Sequence, residues 1–505
     1  MSVAQPLNIK SPALNARKLS DFALTLPFII FFLVQLAHHQ LWVDEINAWA
    51  MAAASPNLKT LIGYVHYEGH PALWYMLLWL PAHFSLAPEA MKVIEGALGI
   101  GIYLMIGVWS PFSRFEKVLL FLSYYISFEY TVLSRMYSVL LLVLLIYVYR
   151  RSKYPEQFLW NTALLGLLAN TDVLGAILSG SLLVEYAWSE WRKRQSALPR
   201  KEAVSALLIY VLLAAFSVWT GLPSHTSVHS VEPFGKHAFQ LWHLTSAIRQ
   251  VIVSPWWPIN AAFPDHFWNP GLRLRTMLLV PVILGAYYVI FKREWIYCWV
   301  IGLTTVAAIL FNHLVYFGYA RHFGITFLAF LAVLWMQRYH RAAAPILGRI
   351  LLGFSAAAGL LVAGAQWQHP FCNGGAAANW LRAHHLENST LIGAVDIGAA
   401  PVAEELQRPM YYLDCNCWNT FLLYSSARDS FSVAGIPRLL ADAVDRLHSS
   451  NLHSSNMILV TPFQLKGRAL AEINERGVRL AELAAFTRAE FDPQNAFIYR
   501  VSKAK

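Results

Sequence analysis

Charged side chains are scarce in this chain. Only 13% of its 505 residues are Asp, Glu, Lys or Arg, whereas 57% are hydrophobic. Soluble globular domains average about 25% charged residues. The composition therefore excludes an ordinary soluble enzyme and indicates a polytopic membrane protein.

Cysteine is scarce as well, with only Cys298, Cys372, Cys415 and Cys417. These four do not form the two spaced pairs of a zinc framework, and the stretch "DCNCW" alone is weak evidence for a metal. In an oxidising compartment, Cys372 could pair with Cys415 or Cys417; the alternative is free thiols in a packed domain. The sequence leaves both alternatives open.

The N-terminus lacks the pattern of a cleavable signal peptide. An apolar run follows Lys10, Arg17 and Lys18, but no small-residue cleavage site ends it. At about 20 residues the run is long enough to span a bilayer. We expect it to remain in the membrane as a signal anchor.

Long apolar runs are what the chain has in abundance. Ten runs are long enough to span a bilayer, and a polar turn divides the one at 116–149 into two. They predict a polytopic α-helical membrane protein with about eleven transmembrane helices. They lie near 21–41, 91–110, 116–149 (two helices), 158–170, 173–189, 203–221, 276–291, 295–311, 322–337 and 346–366.

Basic residues lie mainly on one side of these runs. Lys and Arg number 18 in the 64 residues of segments 1–20, 111–117, 150–157, 190–202, 292–294 and 337–349. They number 8 in the 125 residues of segments 42–92, 129–135, 170–172, 222–275 and 312–321. The positive-inside rule then places the N-terminus inside and the C-terminus outside.

This topology divides the chain into three parts. A cytoplasmic N-terminus (1–20) precedes a transmembrane domain (21–366) with outer loops 42–90 and 222–275. Within the first outer loop, 71–87 is predicted to be an interfacial helix, because Trp74, Tyr75 and Trp79 favour headgroup depth and Pro81 interrupts the run; a short buried span is the alternative. Polar residues return from 367, and short apolar strands between helical stretches predict a small extracytoplasmic α/β domain over 367–505.

Ionisable residues gather at the outer face of the predicted spans. They are Asp44, Glu45, His66, Glu68, His70, Glu129, Arg135, Asp172, Arg321 and His322. Such groups at membrane depth are costly, which makes a functional site the default hypothesis. A carboxylate beside basic groups can act as a general base while Arg and His hold phosphate, so the pattern indicates transfer from a phosphorylated lipid.

Each of these residues also has a purely structural interpretation. Asp44 and Glu45 could cap the helix that follows them. The arginines could be cations at the ends of spans. His66 and His70 could be interfacial polar residues, and Asp172 could belong to a solvated turn.

Four segments, in order along residues 20–340, resemble the membrane-integral GT-C glycosyltransferases. The resemblance is to the bacterial protein mannosyltransferase and aminoarabinose transferase branch (families 39 and 83). The segments are "LWVDEINAWAMA", "YEGHPALWYMLLW", "SRMYSVLLLVLL" and "GYARHFGITFLAFL". The chain departs from the pattern of this family in two places. No acidic residue directly precedes Arg135, and the nearest carboxylate is Glu129. Ala72 replaces the second Pro of the usual His-Pro-Pro segment.

The resemblance implies inverting transfer of a sugar from a polyprenyl-phosphate carrier to a glycan, lipid or protein acceptor on the extracytoplasmic side. Asp44 would be the catalytic base, and its neighbour Glu45 a second catalytic residue. Substrate binding would fall to His66, Glu68, His70, Glu129, Arg135, Tyr137, Asp172, Arg321 and His322. The location would be the bacterial inner membrane, with the lipid bilayer as a partner and no role for nucleic acid.

No cofactor is expected for single displacement, although a divalent metal held by Asp44 and Glu129 is an alternative. Two other function classes share some features. A flippase of lipid-linked sugars would also carry charges at membrane depth, but the chain lacks matching halves with interrupted spans. An acyl- or phosphotransferase would share the site chemistry but not the order of the Asp-Glu and His-Pro segments.

Overall fold

The structure, a computed structural model, describes residues 12–84, 87–192, 200–228, 239–259, 274–341, 346–426, 428, 435–449 and 456–503. The N-terminal half is helical. Its helices are α1 (Pro12–His38), α2 (Val43–Ala54), α3 (Leu58–Val65), α4 (Leu73–Phe84), α5 (Ala90–Leu104), α6 (Arg114–Leu122), α7 (Met136–Lys153), α8 (Phe158–Ala169), α9 (Val173–Arg192) and α10 (Arg200–Gly221).

Helices continue to residue 368 and then alternate with strands. The remaining helices are α11 (Leu241–Val253), α12 (Leu279–Phe291), α13 (Trp295–Leu314), α14 (Ala320–Phe323), α15 (Ile325–His340), α16 (Ile346–Gln368), α17 (Gly374–Ala383), α18 (Asp396–Leu406), α19 (Ile436–Ser449) and α20 (Arg468–Glu475). The strands are β1 (Thr390–Gly393), β2 (Met410–Tyr412), β3 (Cys417–Asn419), β4 (Met457–Thr461), β5 (Val478–Phe486) and β6 (Ala496–Lys503).

Six helical segments of the described chain are long and apolar enough to cross a membrane. They are Ala16–His38, Ala90–Trp109, Lys201–Gly221, Trp295–Leu314, Ala320–His340 and Ile346–Gln368. Together with the strand-containing C-terminal region they make this a polytopic membrane protein. The other five predicted spans exist as helices that are shorter or more polar, so the count of eleven remains a prediction.

The predicted interfacial segment 71–87 contains a helix, α4, but its aromatic residues do not face outward as expected. Trp74 and Tyr75 are 1% exposed, because α4 packs on α2. The outward face carries Leu77, Leu80 and Phe84 instead. Their spacing of three and four residues gives α4 an apolar exposed stripe, which suits an interfacial helix.

The C-terminal strands form one mixed sheet in the order β3-β2-β1-β4-β6-β5. β1 runs parallel to β2 and β4, and the other pairs are antiparallel. Alternate residues point to opposite faces: Ile458 and Val460 join the core shared with the membrane helices, whereas Leu459 joins a separate core under α19 and α20. One face of the sheet layer therefore packs toward the membrane domain.

The hairpin of β2 and β3 carries the cysteines of "DCNCW". Cys415 and Cys417 form a disulfide with each other, and Cys372 is a buried free thiol. The suggested pairing of Cys372 with either of them is therefore wrong. Cys372 lies at the start of α17, against Gln494, and the two hairpin cysteines are close enough to close their own small loop.

Candidate functional site

The Asp-Glu pair opens α2, where carboxylates favour the positive end of the helix dipole. The two side chains then part. Glu45 is completely buried and accepts hydrogen bonds from the backbone N–H groups of Trp42 (2.9 Å) and Ser134 (2.5 Å), and its Oε2 lies 2.8 Å from His39 Nε2. Glu45 thus caps its own helix, as the structural interpretation supposed. It also holds the residue before Arg135.

Asp44 meets two arginines from distant parts of the chain. Its Oδ2 lies 2.7 Å from Arg135 Nη1 and 3.0 Å from Arg321 Nη2. Both guanidinium groups are largely buried, and that of Arg321 lies over the rings of Trp42 and Tyr319 at 5.2 and 5.3 Å. A carboxylate flanked by two desolvated guanidinium groups is a strong, geometrically defined anion site.

These residues line a cavity of about 670 Å³ at the ends of the membrane helices. Seven of the eleven predicted site residues are in its wall: Asp44, Glu68, His70, Arg135, Asp172, Arg321 and His322. Part of the cavity wall is apolar and lies at the end of α13 and directly after it, where Phe311, Leu314, Val315 and Phe317 line the cavity. Val315 is 55% exposed, so this apolar part of the wall is accessible.

Glu68 is a second carboxylate in the same cavity. Its two oxygens accept from Asn47 Nδ2 (3.3 Å) and from the Tyr75 hydroxyl (3.2 Å). Burial raises the pKa of Glu68 to about 7, and the partial compensation by Arg135 is opposed by the negative charge of Asp44. The cavity therefore contains one carboxylate fixed by arginines and one that titrates near neutral pH.

His70 and Asp172 bring the His-Pro segment and the α8–α9 turn together, with Nδ1 and Oδ2 3.2 Å apart. Asp172 also caps α9 by accepting from the backbone N–H of Leu174 at 2.8 Å. Burial acts to raise the pKa of Asp172, but its contact with His70 outweighs this and the pKa lies below its ordinary value. Asp172 is therefore a buried anion and does not belong to a solvated turn.

Four predicted residues lie outside the cavity wall. Besides Glu45, these are His66, whose Nδ1–H donates to the Leu222 carbonyl (2.8 Å), and Glu129, which accepts from the Tyr124 hydroxyl. The fourth is Tyr137, which is buried and stacked on Tyr130 with ring centroids 5.2 Å apart. Glu129 is thus not in the cavity wall with Asp44. The described residues contain no group of three or more His, Cys, Asp or Glu that could hold a metal ion.

The cavity wall includes residues that we did not predict. Trp42 lies within the motif that drew attention to Asp44, and Tyr319 lies two residues before Arg321. The C-terminal domain contributes Ile397, Tyr424 and Phe491. No sequence signal connects these three residues to Asp44, more than 350 positions earlier.

Hydrogen bonds hold the C-terminal domain at this cavity. The Asn47 side chain donates to the Leu422 carbonyl (3.2 Å) and accepts from the Leu422 N–H (2.6 Å). The Gln494 side chain accepts from the Val43 N–H (3.1 Å) and donates to the Ile397 carbonyl (2.7 Å). Both links end on α2, so the helix that carries Asp44 is bound directly to the C-terminal domain.

Comparison with known proteins finds a distant likeness. No family model and no curated protein matches this sequence. Among solved structures, the chain is similar to the crystal structure of ArnT from Cupriavidus metallidurans bound to undecaprenyl phosphate, with a TM-score of 0.44 and 13% identity, over 95% of this chain and 97% of that chain. A similarity at this level assigns no role to any residue. ArnT itself is an aminoarabinose transferase of the GT-C family.

Proposed function

We propose that this protein is a GT-C-type glycosyltransferase that moves a sugar from a polyprenyl-phosphate donor to an extracytoplasmic acceptor with inversion. The observation that carries the proposal is the ion-paired group of Asp44, Arg135 and Arg321 in a cavity with one apolar side. A lipid phosphate needs cations at its head and apolar surface along its chain, and the cavity supplies both.

The arginines form the donor side. In the structure they share the Oδ2 atom of Asp44, and Arg135 Nε is buried without a hydrogen-bond partner among the described residues. An arriving phosphate brings additional acceptor oxygens for these donors. It also carries the negative charge that grows as the sugar–phosphate bond breaks, which the arginines stabilise.

Asp44 is the proposed base. The acceptor hydroxyl oxygen bonds to the anomeric carbon of the sugar, its proton passes to Asp44, and the polyprenyl phosphate leaves with the electrons of the broken carbon–oxygen bond. A single displacement needs only one protein base, and a positioned base contributes about 10²- to 10⁴-fold to a rate. His70 with Asp172 and His322 complete the polar wall on which the sugar and the phosphate would lie.

The orientation in the membrane belongs to the same proposal. With eleven spans and the N-terminus inside, the cavity and the C-terminal domain lie on the periplasmic side of a bacterial inner membrane. A reporter fused after residue 366 tests this, and a cytoplasmic signal would overturn the orientation.

The deciding experiment replaces Asp44 by Asn in protein reconstituted into vesicles with a polyprenyl-phosphate sugar. Transfer should fall at least about 10²-fold, as expected for loss of a base. Asp445→Asn is the control, because Asp445 forms an exposed pair with Lys503 far from the cavity. A wild-type rate of sugar transfer by Asp44→Asn would show that Asp44 is not the base. Movement of the lipid across the membrane without sugar transfer in the wild-type protein would favour a flippase.

A further inference from the structure

A second cavity, the junction cavity, lies where the membrane domain meets the C-terminal domain. Its volume is about 590 Å³. Its wall comes from the outer end of α1, the start of α5 and the helices α17 and α18, and includes His38, His39, Glu89, Lys92, Arg382 and Glu405. It is separate from the cavity around Asp44, with which its wall shares no residue.

The charged side chains of the junction cavity form no close ion pair with one another. Two cations, Lys92 and Arg382, share the cavity with two carboxylates, Glu89 and Glu405, yet among the described residues no ion pair within 4.0 Å joins them. Lys92 instead donates to the His39 carbonyl at 2.6 Å. Separated charges of both signs around one space fit a ligand that carries both signs.

A further observation indicates that the junction cavity would accommodate a cation next to Glu405, a carboxylate of its wall. Burial raises the pKa of Glu405 to about 7 and Glu89 acts in the same direction, whereas Arg382 and Lys92 only partly oppose them. A cation placed beside Glu405 would therefore be stabilised.

The junction cavity lies at the level of lipid headgroups. His38 ends the span Ala16–His38, and Lys92 lies at the start of the span Ala90–Trp109. The ring of His38 stacks on Trp367 at 4.2 Å, and Trp367 is 54% exposed, as expected of an aromatic residue at a membrane interface. Below the cavity, α1 and α5 expose apolar side chains, among them Ile30 and Val93, along which acyl chains can lie.

We propose that the junction cavity binds the headgroup of an aminophospholipid. Arg382 and Lys92 would hold the phosphate, Glu405 and Glu89 would accept hydrogen bonds from the ammonium group, and the acyl chains would follow α1 and α5 into the bilayer. An ammonium group donates to carboxylates, whereas a quaternary choline does not. The site therefore favours ethanolamine-type over choline-type lipids.

Native mass spectrometry of the purified full chain tests this with dioleoyl phosphatidylethanolamine, phosphatidylcholine and phosphatidylglycerol at equal concentrations. The ethanolamine lipid should be retained preferentially, and Glu405→Gln and Arg382→Gln should each weaken its binding about tenfold, as for loss of one charge-assisted hydrogen bond. Arg476→Gln is the matched control, since Arg476 is an exposed residue directly after α20 and is paired with Glu472. Melting curves establish that each variant is folded.

Equal binding of the three lipids, or unchanged binding by both variants, would overturn the proposal. Binding of phosphatidylglycerol that depends on Arg382 but not on Glu405 would overturn the proposal that Glu405 accepts hydrogen bonds from an ammonium group. Soluble phosphoethanolamine forms another arm, and its binding with equal affinity would contradict a lipid as the occupant. Because these experiments measure binding without a sugar donor, their outcome is independent of whether the protein transfers sugars.

Discussion

The carboxylate of Glu45 accepts a hydrogen bond from the backbone N–H of Ser134, 89 residues later in the chain. Ser134 directly precedes Arg135, which pairs with Asp44, which directly precedes Glu45. Two motifs that are separate in the sequence are thus joined twice, once through the backbone and once through a side-chain ion pair. Glu45 holds the turn, and Asp44 faces the cavity.

This relationship predicts that Glu45 acts as a positioning residue. Glu45→Ala should lower kcat/KM by about 10²-fold, because the turn before Arg135 is no longer held and the guanidinium group shifts from its position. The loss should appear mainly as a raised KM for the donor. Glu45→Gln, which keeps one acceptor oxygen, should recover part of it. A fall in kcat with unchanged donor KM would instead make Glu45 a catalytic residue.

The two arginines at Asp44 predict that replacing either one weakens binding of the donor. Arg135→Lys and Arg321→Lys should each raise the KM for the polyprenyl-phosphate donor by about 10- to 100-fold, because lysine cannot reproduce the planar guanidinium contacts. Arg341→Lys serves as the control, since Arg341 forms a partly exposed pair with Glu294. Steady-state kinetics with varied donor decides the matter, and an unchanged donor KM in both variants would contradict the phosphate assignment.

Glu68 predicts a pH-dependent stability. Its pKa is about 7 in the folded protein, mainly through burial, whereas an unburied Glu titrates near 4.5. The folded state therefore binds the proton more tightly, so stability falls as the pH rises from about 4.5 through 7. Glu68→Gln, which mimics the protonated form, should melt about 2 °C or more above the wild type at pH 8.5 and near it at pH 4.5. The opposite ordering would mean that the folded protein favours the carboxylate.

The contact between Asn47 and Leu422 predicts that the C-terminal domain influences the acceptor side. Asn47→Ala removes both hydrogen bonds to the Leu422 backbone, two residues before Tyr424 in the cavity wall. The KM for the acceptor should rise several-fold while that for the donor stays constant, with a loss of about 1–3 kcal/mol in stability. Asn57→Ala is a control, because it removes the exposed cap of α3 without touching the cavity. A raised KM for the donor with an unchanged KM for the acceptor would contradict a role of the C-terminal domain on the acceptor side.

Sequence patterns alone were sufficient for the class of protein and for most of the polar wall. Apolar runs and basic loops follow from the energetics of the bilayer, which acts on each segment separately and so is visible without a fold. The cost of placing ions such as Asp172 and Arg321 at membrane depth is equally local, and it identified seven residues that the structure brings into one cavity. Asp44 lies in the wall of that cavity, and its neighbour Glu45 does not.

What only the tertiary structure decided is which carboxylate faces which partner. Neighbouring residues on a helix point in directions about 100° apart, so the environment of Asp44 differs completely from that of Glu45. Burial of Trp74 against α2 and the entry of Tyr424 and Phe491 into the cavity wall depend on contacts between distant segments, and pairing of Cys415 with Cys417 depends on the hairpin that they share. The chain itself determined that charges would gather at one membrane face, because each is costly elsewhere; the packing of α2 against the C-terminal domain determined which of them meet.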